Sequence, residues 1–375
     1  MNVAIDASRN RSGGAIVHIV ELLKNFKHIK QTINELHVWV PIEIANLLKE
    51  HKLGNNVFIH HEPIPQKNIL FKLIWQKYLL GNLLKKYSIN VLFNASASSI
   101  FSSKNLKIIT ICQDMLPFEK KEKKRFPFGL MRLRLEVLYF VYKRCLERSD
   151  KVIFLSIYAQ KQVGKHCHIT QSKVIPHGID NSFRDIFKGA LPTNIDPIKA
   201  SYVSNAMPYK HHVKVIEAIL DLRNKNIDIT LDLIGAGTGP ESKKIMKKAK
   251  LFDKESKFIF IHELQSKQGV QRILSKSNLF IFASTCENLP ITLLEGVGSG
   301  LLIVSSGYSP MKEVLGNTVC YFDPLKPQTL VEAILTTINL PLETKNKNLK
   351  KLNKITDHFS WQKCTTETFE YIIEH

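Results

Sequence analysis

Acidic residues are scarce in this chain. Its 375 residues carry 33 Asp and Glu against 53 Lys and Arg, a formal net charge of +20. An excess of that size calls for an anionic partner, and the candidate classes are nucleic acid, a membrane surface or a phosphorylated substrate. Cysteine is equally sparse. The six (Cys112, Cys145, Cys167, Cys286, Cys320 and Cys364) are scattered with no C-x-x-C pair, which reads as reduced, mostly buried thiols. No apolar run is long enough to span a bilayer. Met1 to Asp6 offers neither a basic n-region nor an apolar h-region, so a cytoplasmic protein is expected. Several motifs are missing too. No G-x-x-x-x-G-K-[ST] excludes a P-loop enzyme, and no G-x-S-x-G excludes an ordinary serine hydrolase. No Asp-x-Asp follows any strand, and His166-Cys167-His168 are adjacent residues with no partner spacing, so no metal site is expected. The lack of a helix-turn-helix, zinc or RNP-type motif weighs against nucleic acid as the partner.

What is present is an α/β pattern. Hydrophobic content is 44% and charged content 23%, those of a globular protein, and the length exceeds one ordinary core, so two domains are expected. In the first half, apolar runs at Val3–Ile5, Leu36–Val40, Val57–Ile59, Asn90–Asn94, Leu106–Ile111 and Lys151–Ser156 predict strands. Helical spacing lies between them, the pattern of a parallel sheet covered on both faces. Gly13 and Gly14 stand between the first strand and the first helix, where backbone N–H groups can approach a ligand or the chain can simply turn tightly. Gln113-Asp114 falls at a strand's carboxyl end, where such sheets bind ligands. Val174 to Asp180 runs from a strand into a Pro/Gly turn, and the composition then turns polar through Asn194, which marks the domain boundary.

The second half begins again with a strand at Ala200–Ser204. Lys210 follows at the mouth of a strand–helix turn, where a lysine can pair with a diphosphate. The run Ile229–Ile234 leads into Gly235-Ala236-Gly237-Thr238-Gly239-Pro240, a loose match to the dinucleotide fingerprint. Its third glycine is one residue early and no acidic residue clearly ends the next strand, so it reads as a tight turn lining a ligand cleft. Further strands are predicted at Phe258–His262, Asn278–Phe282, Leu301–Ser305 and Val319–Phe322. The centre of the pattern is Ser284 to Gly296. A strand feeds a polar loop, and the loop feeds a helix opening near Pro290, whose orphan N–H groups and partial positive charge suit a phosphate. Glu287 and Glu295 bracket that helix start, and each carboxylate can accept hydrogen bonds from paired hydroxyls of a ribose or hexose. Singly, either glutamate reads more simply as a charged residue beside an amphipathic helix; the pair in this setting points to a site.

Two stretches of the first half are both basic and apolar. Leu70 to Tyr87 reads as an amphipathic helix whose apolar face joins the core, with an interfacial element as the rival. Lys120, Lys121, Lys123, Lys124 and Arg125, followed at once by Phe126 and Phe128, read as a surface for an anionic membrane or substrate, with a solvated charged face as the rival.

Taken together, Ser12-Gly13-Gly14, Gln113 to Phe118, Val174 to Asp180, Lys210, Gly235-Ala236-Gly237 and Glu287-x7-Glu295 resemble the retaining glycosyltransferases of family 4 (glycosyl transferases group 1), which have the GT-B fold. Asp357 to Trp361 looks like that family's closing helix. The resemblance implies two Rossmann-like doubly wound domains facing across a cleft: residues 1–180 for the acceptor, 181–355 for the nucleotide sugar, and 356–375 as a helix returning to the first domain. It implies that Glu295 holds the ribose and Glu287 a hydroxyl of the donor sugar. Backbone groups of Asn288, Leu289, Pro290 and Ile291 would face sugar and phosphates, Lys210 would neutralise the leaving diphosphate, and Gly13 and Gly14 would bring amides to the phosphates. Gln113 stands where many relatives carry His, and Ser204-Asn205 where many carry Gly-Arg. The implied activity is retaining transfer, by same-face displacement, from a UDP- or GDP-linked sugar to a glycan such as a lipid-linked oligosaccharide. No cofactor and no metal are expected, and catalysis would fall to Glu287, Gln113, Asp114 and Lys210. The expected setting is bacterial surface polysaccharide synthesis (LPS O-antigen or capsule) on the anionic inner face of the cell membrane. A GT-B phosphorylase or epimerase, and a basic nucleic-acid-binding protein, are the alternatives.

Overall fold

The computed structural model describes residues 1–10, 13–29, 33–67, 69–186 and 197–374. Ser12 and positions 187–196 of the polar stretch lie outside them. The chain divides into two compact units, Met1–Gly178 with Ser360–His375, and Ile179–Phe359.

The first unit is built on seven strands: β1 (Asn2–Asp6), β2 (Glu35–Trp39), β3 (Val57–His60), β4 (Val91–Asn94), β5 (Lys107–Cys112), β6 (Lys151–Phe154) and β7 (Ser172–Val174). They pair in the order β3-β2-β1-β4-β5-β6-β7, all parallel, with Ile5 opposite Val38 on one side and Phe93 on the other. Strands covered on both faces need apolar residues at every position rather than alternate ones, and β4 and β6 are buried throughout. The chain winds outward from β1 to β3, then returns to β4. Its switch point is therefore between β1 and β4, with Asp6 and Asn94 at the carboxyl ends. Helix α1 (Gly14–Asn25) opens there behind Gly13, whose φ of 59° favours glycine. Asp6 accepts hydrogen bonds from Ser8 Oγ (2.6 Å) and from buried Gln76 Nε2 (2.8 Å), so the basic stretch around Gln76 is tied into this edge. Helix α2 (Leu130–Glu147) leads into β6.

The last helix, Trp361–Ile373, packs on α1, with the rings of Phe26 and Phe369 4.8 Å apart. Gly178 makes the approach possible: a Cβ there would lie 2.1 Å from the backbone nitrogen of Trp361. Beside this junction His18 Nδ1 and His177 Nδ1 share a hydrogen bond of 3.0 Å under the Trp361 ring, both side chains buried.

The second unit carries β8 (Ile198–Val203), β9 (Ile229–Ile234), β10 (Ile259–His262), β11 (Leu279–Phe282), β12 (Leu302–Ser306) and β13 (Cys320–Phe322). The order is β10-β9-β8-β11-β12-β13, again all parallel, so its switch point separates β8 from β11. Helix α3 (His212–Asn224) follows β8 and α4 (Ile291–Gly298) follows β11. The unit's two ends meet, Ile179 N donating to Phe359 O at 3.0 Å. Among the described residues no helix is long and apolar enough to cross a membrane.

The histidine pair makes the first unit acid-sensitive. Burial holds His18 down to about 4 in the fold, against an ordinary value of 6.5, and the buried His177 lies well below its usual range as well. A base with a depressed folded value stabilises fully above the unfolded value and loses that contribution as pH falls towards the folded one, at about 1.4 kcal/mol per pH unit for each such group. All three tryptophans, Trp39, Trp75 and Trp361, lie in this unit. Urea unfolding followed by tryptophan fluorescence is expected to shift to lower midpoints from about pH 6.5 to pH 4.5, and His18→Leu to flatten that slope. An undiminished slope in the variant would assign the acid sensitivity elsewhere.

Candidate active site

The loops after β8 and β11 leave the sheet side by side and then diverge, one into α3 and the other into α4. Between them the chain builds a polar cluster. After β8 come Ser204 to Met207, a single 3-10 turn at Pro208–Lys210, and His211 in the left-handed region at φ 52°. That residue turns the chain sharply enough to start α3 at once. After β11, Ser284 anchors the second loop: Ser306 Oγ donates to its carbonyl at 2.6 Å. Thr285 then ties the loops together. Its N–H donates to Tyr209 O at 3.0 Å and its hydroxyl meets His211 Nε2 at 2.9 Å.

This tie sets Lys210 opposite Glu287, and the two form a direct ion pair. Both side chains are largely buried, and Lys210 Nζ lies 5.6 Å from the ring centres of Tyr209 and Phe282. Tyr202 Oη donates to Lys210 O at 2.9 Å and fixes the backbone beneath the lysine. Pairing satisfies both charges while leaving them at the carboxyl edge of the sheet. Gly235 joins the same edge from β9: at φ 89° its Cα faces Ser204 O, only 3.1 Å from where a Cβ would sit. Ser204 is buried and donates to Asn205 O, and Asn205 is exposed. The glycine run is strapped to this loop, since Ala206 N donates to Thr238 O at 2.8 Å.

Pro290 occupies the position just before α4, and the helix proper starts at Ile291. Asn288, Leu289 and Pro290 are buried; no side chain caps α4, and Leu293 N and Leu294 N donate to Pro290 O, which leaves the N–H groups of Ile291 and Thr292 as its open donors among the described residues. Glu295 lies in the second turn. Burial, together with the charge of Asp180, pushes its carboxyl up to about 8 against the opposing pull of Lys267. Asp180 itself is a fixed anion: burial pushes it up, but hydrogen bonds from Lys267 (2.6 Å) and from Ser182 outweigh that and hold it below the usual range. Sequence pattern assigns no such role to Asp180, to Lys267 or to the His211–Thr285 tie. These residues are distant from Glu295 and Lys210 in the chain or carry no motif of their own, and only the fold brings them to the cluster.

In the first unit, Gln113 follows β5 with its amide nitrogen buried and without a hydrogen-bond partner among the described residues, a donor in need of an acceptor. Asp114 is exposed, and its carboxylate accepts from Leu116 N at 3.0 Å, capping the next turn. The basic run does not fit its expected role. Phe126 is 3% exposed and lies in the core, and Lys123 is buried and paired with Glu136 at 2.7 Å, so neither can enter an interface. Arg125 is paired with buried Glu122. The short helix Lys120–Lys123 and the turn after it direct Glu122, Lys123 and Phe126 inward, which a reading of charge density alone does not register. Lys120, Lys121, Lys124 and Phe128 remain on the surface.

Two family models cover the chain between them: one described as "Glycosyltransferase Family 4" matches residues 12–183, and one described as "Glycosyl transferases group 1" matches residues 183–355. Among characterised proteins, the chain is 25% identical over 174 residues to the UDP-N-acetylglucosamine–peptide N-acetylglucosaminyltransferase GtfA subunit of Streptococcus pneumoniae, covering 44% of this chain and 32% of that one. It is 29% identical over 103 residues to Protein CapJ of Staphylococcus aureus, covering 28% and 26%. The matched stretches thus span a third or less of those relatives. Among solved structures, Anabaena Alr3699/HepE in complex with UDP and glucose superposes with a TM-score of 0.74 at 16% identity, covering all of both chains.

The seating of α4 on the sheet depends on one close approach in its second half. A Cβ on Gly296 would lie 2.7 Å from the ring of fully buried Phe280, whereas one on Gly298 would meet only the Cδ1 tip of Ile179 at 2.5 Å. A ring locked in the sheet cannot yield as a flexible tip can. Gly296→Ala is therefore expected to cost the second unit about 1–3 kcal/mol, and Gly298→Ala measurably less. Thermal denaturation of the two variants side by side checks the order; equal losses would mean that α4 is not seated by Phe280.

Proposed function

The chain belongs to the group 1 glycosyltransferases and has their GT-B fold, and from that premise we propose that it moves a sugar from a nucleotide-sugar donor to a glycan acceptor, with retention at the transferred carbon. The observation that carries this reading is the Lys210–Glu287 pair at the switch point of the second unit, beside the opening turn of α4. A diphosphate placed at that turn gains the helix's free N–H groups and competes with Glu287 for Lys210. Glu287, released from the lysine, is then free to accept from a sugar hydroxyl. The pair thus holds two charges ready without leaving either unsatisfied. Glu295, one turn further on, supplies the acceptor for the ribose. Gly235 and Ser204 let the backbone of the neighbouring loops come close. Asn205 lies exposed beside them.

The reaction asks the protein for positioning and charge rather than for a covalent partner. As the glycosidic carbon–phosphate oxygen bond breaks, negative charge gathers on the diphosphate, and Lys210 with the α4 amides stabilises it. The departing phosphate oxygen takes the proton of the attacking acceptor hydroxyl on the same face. In the first unit taken by itself, Gly13 and Gly14 open α1 with exposed backbone, and Gln113, with its buried unpartnered nitrogen, is a donor for a sugar oxygen. Asp114 orients that loop. UDP is favoured as the carrier because the structurally similar Anabaena protein is described with UDP and glucose. An acceptor in surface polysaccharide synthesis, lipid-linked at the inner leaflet, fits the +20 charge and the similarity to CapJ.

Two measurements test the reading. Isothermal titration with UDP and GDP should show Glu295→Ala losing about 2–4 kcal/mol of nucleotide affinity, while Glu287→Ala keeps affinity and loses turnover. Because a carboxyl at about 8 must shed its proton to accept two hydroxyls, binding to the wild type should tighten as pH rises from about 7 to 8.5. Unchanged affinity in Glu295→Ala would remove it from the ribose. Separately, with cationic charge carried by Lys210 and α4, transfer is expected to survive EDTA; loss on chelation with rescue by Mg²⁺ or Mn²⁺ would show that the charge is handled otherwise.

A further inference from the structure

Helix α2 presents an apolar stripe on the side that faces away from its own unit. Its buried residues are Leu135, Tyr142, Cys145 and Leu146, which lie together on one face. Leu130, Leu133, Val137 and Phe140 recur at i, i+3, i+7 and i+10 on the opposite face, between 54% and 87% exposed, and Phe128 just ahead of the helix is 91% exposed. Single exposed apolar residues are ordinary; five in one continuous row are not. Nothing among the described residues of this unit covers them.

The charges around the row have one sign. The two acids on the helix, Glu136 and Glu147, are already paired with Lys123 and Lys143. Lys120, Lys121, Lys124, Arg134, Arg144 and Arg148 are exposed and make no ion pair among the described residues. The Lys123–Glu136 bridge holds the 120–124 segment, with its three exposed lysines, against α2. Arg132 lies over the Phe128 ring at 4.3 Å, shielding the flank of the row. An apolar row bordered by uncompensated cations, on an 18-residue helix, matches the layered chemistry of an anionic bilayer: hydrocarbon below, phosphate above.

We propose that α2 is a membrane-docking helix, with Phe128, Leu130, Leu133, Val137 and Phe140 entering the interface of an anionic leaflet and the flanking lysines and arginines on its phosphates. It rests on the proposed lipid-linked acceptor only for its purpose; the docking itself involves no sugar. The site differs from the dense basic run ahead of it, whose Phe126 is turned inward. Here the lysines of that run supply charge alone, and the apolar residues of α2 supply an attachment that salt does not screen.

The experiment is co-sedimentation of the full chain with vesicles of phosphatidylcholine alone or with phosphatidylglycerol. Wild type is expected to bind only the anionic vesicles. Arg134→Glu with Arg144→Glu and Arg148→Glu should lower partitioning by roughly fivefold or more per position. Leu130→Ser with Leu133→Ser and Phe140→Ser should lose about tenfold or more and abolish the part of binding that persists at high salt. These side chains are exposed, so unchanged melting and unchanged UDP titration in both variants keep a docking defect separate from a failed fold or a failed donor site. The proposal is overturned if the serine variant sediments like wild type, or if wild type ignores anionic vesicles. It is equally overturned if wild type is a dimer that the serine variant breaks without any vesicle binding, which would assign the stripe to a second copy of the chain.

Discussion

The second unit depends on a tie between two loops. Thr285 donates its amide to Tyr209 and shares its hydroxyl with His211, and through that tie Lys210 and Glu287 are brought together. The tie is possible because β8 and β11 are neighbours in the sheet while their following chains turn opposite ways. An all-parallel sheet collects its strand ends on one edge, and the switch point opens a crevice there without any residue being set aside to make it. His211 adopts a left-handed backbone that keeps the first loop short. That strain is small beside its effect, since a longer loop would let the lysine reach several partners instead of one.

Electrostatics in this chain work by contrast rather than by sum. The surface is strongly cationic, yet the two glutamates of the site stand in different conditions. Glu287 is neutralised by a lysine in contact, whereas Glu295 is poor in solvent and faces a second carboxylate, so its proton is held near neutrality. Asp180, a few residues after the boundary, is locked as an anion by Lys267 and Ser182 and thereby helps to keep Glu295 protonated. A ligand that supplies hydroxyl donors can reverse that state, and the free protein avoids an unsatisfied buried charge in the meantime.

Much of the architecture can be read in the chain because parallel strands are continuous apolar runs. The run at 229–234 coincides with β9, and most others, Asn278–Phe282 among them, shift by one or two residues at an end, where hydrogen bonding and hydrophobicity part company. The proximity of Lys210 to the Glu287 loop also follows once the topology is assumed. The remainder depends on which way a side chain faces, and spacing does not carry that. Phe126 and Phe128 are two residues apart and equally aromatic, but one is core and the other surface. The apolar spacing along α2 would serve equally for a buried face, and only the packing of Leu135, Tyr142 and Leu146 decides between them. Asp180 and Lys267, 87 residues apart, meet only in the folded unit.

The closing helix belongs to the first unit although the whole second unit precedes it in the chain. A ribosome therefore releases residues 179–359 before it delivers the helix that packs on α1 and on Phe26 just after it. For that interval the second unit has its full sequence in hand, and the first has every strand of its sheet but an open apolar flank. Gly178 and Trp361, which fit only when the helix arrives, place completion of the first unit after synthesis of the second, and a chain without that helix would keep the flank open.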